Sequence, residues 1–194
     1  MNEPESGIRN ISDTARWVAV YRARETERTD ALFRDPFARR LAGERGEQIA
    51  TSMSFAEKNS WPFVARTWLV DHVISSRIKL GTDIVINLAA GLDTRSYRMN
   101  LPGSLQWIEV DLPEILAYKE DVLRNEAPVC QVERVRLDVS DVRARRDLFS
   151  ELGRRTIEYS LSVRVCSFTW TTSGSPSFLP KDGISPFIPA VITL

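Results

Sequence analysis

Apolar positions recur at helical spacing in the first eighty residues and at strand spacing after them. Trp17, Val18, Val20 and Tyr21 form the inner stripe of a helix that Ser12 or Asp13 can cap. ALFRDPFARRLAG predicts a turn and a short helix, with Pro36 early and Gly43 as the stop. Ser60 and Pro62 open a longer helix carrying Phe63, Val64, Trp68, Val73 and Ile74, ending near Gly81. DIVINLAAG is a short, β-branched apolar run bounded by Gly81 and Gly91, the pattern of a buried strand running into a turn. LQWIEVD predicts a second strand, and LPEILAYKEDVLRN a helix opened by Pro113. QVERVRLD alternates Val132, Val135 and Leu137, as a third strand should. Asp141 can cap DVRARRDLFSEL, with Leu148, Phe149 and Leu152 inward and Gly153 as a stop. Strands alternating with helices imply an α/β fold with a parallel sheet and right-handed crossovers.

A chain of 194 residues fits about one domain with a sizeable core. Its 26 basic and 26 acidic residues cancel, which argues against a nucleic-acid partner or a polybasic membrane surface. No apolar stretch has the length of a membrane span. Cys130 and Cys166 are too few for a disulfide scaffold, and no Cys/His cluster suggests a metal. A cytoplasmic protein with reduced thiols is the expectation.

The charge is unevenly spread. Residues 153–194 hold only six charged residues, with twelve Ser or Thr and four Pro. TWTTSGSPSFLP has neither helical nor strand periodicity, yet Phe168, Trp170, Phe178 and Phe187 make the segment too aromatic for a typical disordered tail. Three parts are therefore expected: a helical extension over residues 1–80, the N-terminal half of a cofactor-binding domain over 81–152, and an anomalous tail over 153–194 that is not a folded domain. A sheet of only three strands would leave one edge of its first strand unpaired.

In open α/β sheets the ligand lies beyond the carboxyl ends of the strands. Three strand ends matter here. Small residues at Ala89, Ala90 and Gly91 let a ligand approach the backbone. Asp111 follows Gly91 by twenty residues, the spacing at which a carboxylate can accept both hydroxyls of an adenosine ribose. Asp138 could accept from an adenine amino group. Each has a plainer explanation: a tight turn for residues 89–91, a helix cap for Asp111, a turn before Ser140 for Asp138. Their joint placement at three successive strand ends favours a ligand. A dinucleotide fingerprint needs a second glycine to admit the pyrophosphate, and here Asp93 follows Gly91 instead. S-adenosyl-L-methionine carries no phosphate, and Arg66 or Arg95 could pair with its carboxylate. The lone His72, Tyr118 and the run Arg143, Arg145, Arg146 fit structural or solvated positions better than catalytic ones.

DIVINLAAGLDTRSYRMNLP followed by WIEVDLPEILAYKEDVL resembles the actinobacterial S-adenosyl-L-methionine-dependent methyltransferases related to leucine carboxyl methyltransferases. DALFRDPFARRLAG and FVARTWLVDHVI are similar to segments of the same family, and the likeness covers about residues 10–152. The resemblance implies a Rossmann-like class I methyltransferase fold, incomplete here, with its first three strands and a helical N-terminal extension. It implies that Asp111 holds the ribose, that Asp138 and Val139 line the adenine, that Gly91 belongs to the glycine loop beside Ala89, and that Arg66 meets the carboxylate of the methyl donor. Ala89 and Ala90 stand where small or glycine residues are usual.

The expected function is methyl transfer from S-adenosyl-L-methionine to an oxygen or carboxylate of a small molecule. The other readings are an NAD(P)-binding oxidoreductase fragment and a non-enzymatic, defective fragment. A shifted reading frame from about Gly153 is a further expectation. One synonymous coding of Val163 to Thr171, read from the third base of the Val163 codon, gives Glu-Gly-Leu-Leu-Ile-Tyr-Leu-Asp, which resembles the family's next motif. A chain so altered would lack the strand that closes the cofactor site and would transfer methyl groups weakly.

Overall fold

The computed structural model describes residues 10–52, 60–159, 163–167 and 190–193. Three helices come first: α1 (Ile11–Glu27), α2 (Ala38–Ser52) and α3 (Trp61–Lys79). Strands and helices then alternate: β1 (Ile84–Leu88), the single turn α4 (Arg95–Arg98), β2 (Gln106–Asp111), α5 (Pro113–Val122), β3 (Gln131–Arg136) and α6 (Val142–Tyr159). β4 (Val163–Ser167) and β5 (Ala190–Thr193) follow. The sheet order is β3-β2-β1-β4-β5, parallel throughout except for β5. The expected parallel α/β sheet is present, and its first three strands stand in the expected places. β4 pairs with β1 from Ile84↔Val163 to Leu88↔Ser167, so the edge of β1 that three strands alone would expose is covered. Most of the expected tail, residues 168–189, lies outside the described residues.

β1 is buried along its whole length because both faces of the sheet are covered. Side chains alternate between faces. Ile84, Ile86 and Leu88, with Ile108 and Val110 of β2, pack against Leu148 and Leu152 of α6. Val85 and Trp107 point the other way, onto Val70 and Ile74 of α3. A third cluster joins the N-terminal helices to the sheet layer: Trp17 and Tyr21 of α1, Leu41 and Ile49 of α2, and Ile115 of α5. Each such large side chain removed from water contributes about 2 kcal/mol. The Trp17 indole also donates to the Tyr21 hydroxyl at 2.9 Å, and Phe63 of α3 stacks on Tyr21 with ring centroids 5.1 Å apart. α1, α2 and Phe63 of α3 thus share a core with α5, which holds α1 over one end of the sheet.

Three element ends differ from expectation. The cap of α1 is Asn10, whose side chain accepts from the Asp13 amide at 2.9 Å, not Ser12 or Asp13. Gly43 does break the helical geometry (φ 59°, ψ −176°), but the helix resumes and runs to Ser52. Gly153 does not stop α6: it stays out of the left-handed region that a glycine stop requires, and the helix continues to Tyr159. Asp141 caps α6 as expected, accepting from the amides of Arg143 and Ala144.

Candidate functional site

The turn after β1 is bent by two residues with positive φ, Ala89 and Gly91, both at 51°. That geometry aims the Gly91 amide back at the end of β2. It donates to Asp111 Oδ2 at 2.6 Å, while the Leu112 amide donates to Oδ1 at 2.7 Å. Asp111 is therefore held by two backbone donors, and each carboxylate oxygen retains acceptor capacity. Burial raises the Asp111 carboxyl above its usual range, opposed by those two amides.

Asp138 lies beyond the end of β3 and is exposed. Its Oδ1 accepts from the Ser140 amide at 2.8 Å, and hydrogen bonds from the Ser140 side chain and backbone hold its carboxyl below the usual range. The plainer role, fixing a turn, is thus real, and it presents Asp138, Val139 and Ser140 together. Val139 packs against the α6 cluster, and its carbonyl accepts from Arg145 at 2.6 Å.

Asp93 and Arg95 belong to one network of ion pairs at the end of β1, with Arg95 buried and Asp93 partly buried. Arg95 donates through Nε to Asp71 at 2.6 Å, through one terminal nitrogen to Asp93, and through the other to the Thr67 carbonyl. Asn87 donates to Asp93 at 2.9 Å. Burial opposes the charge on Asp93, but Arg95 and Lys119 outweigh it and hold the carboxyl well below the usual range. Burial likewise opposes the charge on Arg95, which Asp93 and Asp71 more than restore. Arg95 keeps these partners while it borders the same cavity as Arg66. The negative charge of Asp93 is offset by Arg95.

A second network ties α1 to the same loop. Asp35, fully buried, accepts from Arg22 at 2.8 Å and from the Thr94 hydroxyl at 2.7 Å, and Arg22 donates to the Leu92 carbonyl at 2.6 Å. Beneath it, Glu109 accepts from Lys119 at 2.7 Å, with both side chains fully buried, and from Arg134 at 3.2 Å.

These elements enclose a cleft of about 520 Å³ beyond the carboxyl ends of β1, β2 and β3. Asp111, Asp138, Val139, Gly91, Ala89 and Arg66 all line it, so the structure brings every expected site residue to one cavity. Burial, with the positive charge of Arg95 nearby, lowers the Arg66 guanidinium to about 10 against the pull of Asp93, leaving it protonated at neutral pH. The cleft also has a wall that sequence reasoning missed. Thr14, Ala15, Val18 and Arg22 of α1 line it, as does Arg145. Their spacing of three and four residues was visible, but it reads equally as a core stripe. His72 is exposed against the Trp68 carbonyl, and Tyr118 reaches the Leu41 carbonyl, so neither enters the cleft.

An acidic residue beside a small-residue turn at the carboxyl ends of an open α/β sheet stands where such sheets bind their ligands, nucleotides among them. The family follows from comparison. Residues 15–181 match the model of the leucine carboxyl methyltransferase family, and the chain belongs to that family. The match runs past Leu152, so the likeness extends beyond the residues 10–152 expected from the motifs. The chain is 28% identical over 93% of its length to a protein of Mycobacteroides abscessus, and 32% identical over 88% to one of Streptomyces coelicolor. A protein of Frankia alni is 31% identical over 92%. All three are provisionally named S-adenosyl-L-methionine-dependent methyltransferases. The chain spans 58%, 60% and 63% of these relatives. No helix among the described residues is long and apolar enough to cross a membrane.

Proposed function

We propose that this chain binds S-adenosyl-L-methionine across the ends of β1, β2 and β3 and serves methyl transfer to an oxygen or carboxylate of a small molecule. The observation that carries the reading is Asp111. It is buried at a strand end, fixed by the Gly91 and Leu112 amides, and opens on a cleft of ligand size. Its remaining lone pairs suit the two ribose hydroxyls. Asp138 and Val139 stand beside it for the adenine, and Arg66 lies in the same cleft for the amino-acid carboxylate. The residues present fit the cofactor: its ribose hydroxyls, adenine amino group and carboxylate each have a counterpart of suitable chemistry among the lining residues.

When bound, the cofactor supplies an electrophilic methyl on a sulfonium, which passes to the acceptor oxygen as the carbon–sulfur bond breaks with its electron pair left on sulfur. The chain's part is to bind and orient. Asp111 fixes the ribose, the Ala89–Gly91 turn allows close backbone approach, and α1 shields the cleft from water. Holding the reactants in line is a large share of such catalysis. A carboxylate acceptor would need no general base, and the lining offers no histidine. The helical extension over residues 1–80 and the strands of residues 81–152 together carry this cofactor half.

Calorimetric titration with S-adenosyl-L-methionine and S-adenosylhomocysteine tests the proposal. Saturable binding to one site is expected. A folded sample giving no heat at millimolar ligand, or binding a reduced nicotinamide dinucleotide in preference, would overturn it.

A further inference from the structure

The Glu109–Lys119 ion pair has no exposed side-chain surface, and neither residue lines the cleft. A buried ion pair is weak evidence for stability, since apolar side chains of similar size often hold a core as well. Its place in the fold is specific, however. Glu109 and Asp111 stand two residues apart on β2, so they share the face turned away from α6. Lys119 lies nearly two turns along α5, the helix that starts just after Asp111, and reaches back to that same face. Its Nζ donates to Glu109 Oε1, which also accepts from the Ser96 hydroxyl at 3.2 Å, while Arg134 donates to Oε2 at 3.2 Å. The ammonium therefore sits one strand step beneath the Asp111 carboxylate, roughly 7 Å away by the spacing of alternate strand residues.

Burial favours the neutral acid at Asp111. Against it act the Gly91 and Leu112 amides and, after them, the Lys119 charge, which outweighs the opposing charge of Glu109. Other charges at this end of the sheet have partners of their own. Asp93 pairs with Arg95, Arg98 with Asp71, Arg22 with Asp35, and Arg134 and Arg136 with Glu120. Arg66, Arg145 and Asp138 line the open cleft and Glu114 is exposed, so water screens them. That leaves the Lys119 ammonium, fully buried and on the Asp111 face. Granting the cofactor reading above, we infer that Lys119 is a positioning residue for the ribose acceptor: from beneath the cleft its charge favours the ionised carboxylate of Asp111, the form that takes a ligand's hydroxyls most strongly.

Carbon-13 NMR across pH reads the Asp111 carboxyl in the full unliganded chain, its signal identified by its loss in Asp111→Asn. Calorimetry follows S-adenosylhomocysteine affinity over the same range. Lys119→Met removes the charge and keeps the length. Losing a nearby cation moves the ionisation of Asp111 to higher pH, by about one to two units for a charge at that distance in an effective dielectric of ~20. The pH at which affinity is lost should rise with it, while affinity well above that pH stays within about twofold of the unaltered chain. Lys119→Arg should keep both midpoints, and in an Asp111→Asn background Lys119→Met should change affinity at no pH. An unmoved Asp111 midpoint overturns the assignment. So does a loss of affinity equal at every pH and repeated in the Asp111→Asn background, which is what a merely structural role gives. Should Lys119→Met fail to fold, adding Glu109→Gln removes both charges at lower cost. There too a raised midpoint supports the inference, and an unmoved or lowered one overturns it. If the unaltered chain takes no S-adenosylhomocysteine, the cofactor reading falls and the role at the ribose with it, a result distinct from an unmoved midpoint in the unliganded chain.

Discussion

The Gly91 amide donates to Asp111 Oδ2 at 2.6 Å, joining the turn after β1 to the end of β2 across twenty residues of sequence. This bond orients the carboxylate toward the cleft and fixes the turn that a ligand must approach. Asp111→Asn should weaken S-adenosylhomocysteine binding tenfold to a hundredfold, by about 1.5–3 kcal/mol, because a charge-assisted acceptor is lost. Ligand hydroxyls donate more strongly to the ionised carboxylate than to the neutral acid, and burial raises its pKa. Affinity should therefore fall as pH drops below that raised value, levelling off at about the loss seen in Asp111→Asn. Titration across pH checks this, and Asp111→Asn should flatten the profile.

Asp93 contributes to stability through Arg95. Asp93→Asn leaves a buried guanidinium short of one partner and should cost about 3 kcal/mol in urea unfolding at neutral pH. The Asp93 pKa is depressed in the folded chain, so its contribution is complete above the unfolded value of about 3.9 and is lost as pH falls toward the folded one. The gap between the two proteins should narrow below about pH 4.

Gly46 lies where α1 crosses α2. A Cβ there would come within 2.9 Å of the Arg16 carbonyl oxygen and 3.2 Å of a Val20 methyl. Gly46→Ala should destabilise by about 1–3 kcal/mol, because backbone must shift to admit the methyl. The shift moves the helix that walls the cleft, so S-adenosylhomocysteine affinity should fall with the melting temperature. Unchanged stability would mean that the crossing is looser than it stands here.

Ala89 adopts φ 51°, a region that costs a side chain about 1 kcal/mol relative to glycine. Ala89→Gly should raise the melting temperature by a few degrees, or leave it unchanged if the added freedom of the unfolded chain offsets the relief. A fall of several degrees would show that the methyl makes a packing contact worth more than the strain.

The order of elements, the parallel sheet and the three strand-end clusters were legible in the sequence because each is written locally. A β-branched run between glycines, a proline after an acidic residue and a helical stripe depend on neighbours a few positions apart. Asp111, Asp138 and Gly91 could be chosen for the same reason, since a strand end and its turn are adjacent in the chain. Local patterning also misled. Asn10 rather than Ser12 caps α1, and α6 runs through Gly153, because a capping residue acts only if the backbone around it turns. Tertiary structure alone decided the rest. Arg66 and Arg95 are the same residue type and both line the cleft, and only packing gives Arg95 its ion pairs with Asp71 and Asp93. Likewise, nothing in the α1 sequence separates Thr14 from a core-facing threonine. Its place in the cleft comes from the burial of Trp17 and Tyr21 against α2 and α5, contacts between segments far apart along the chain.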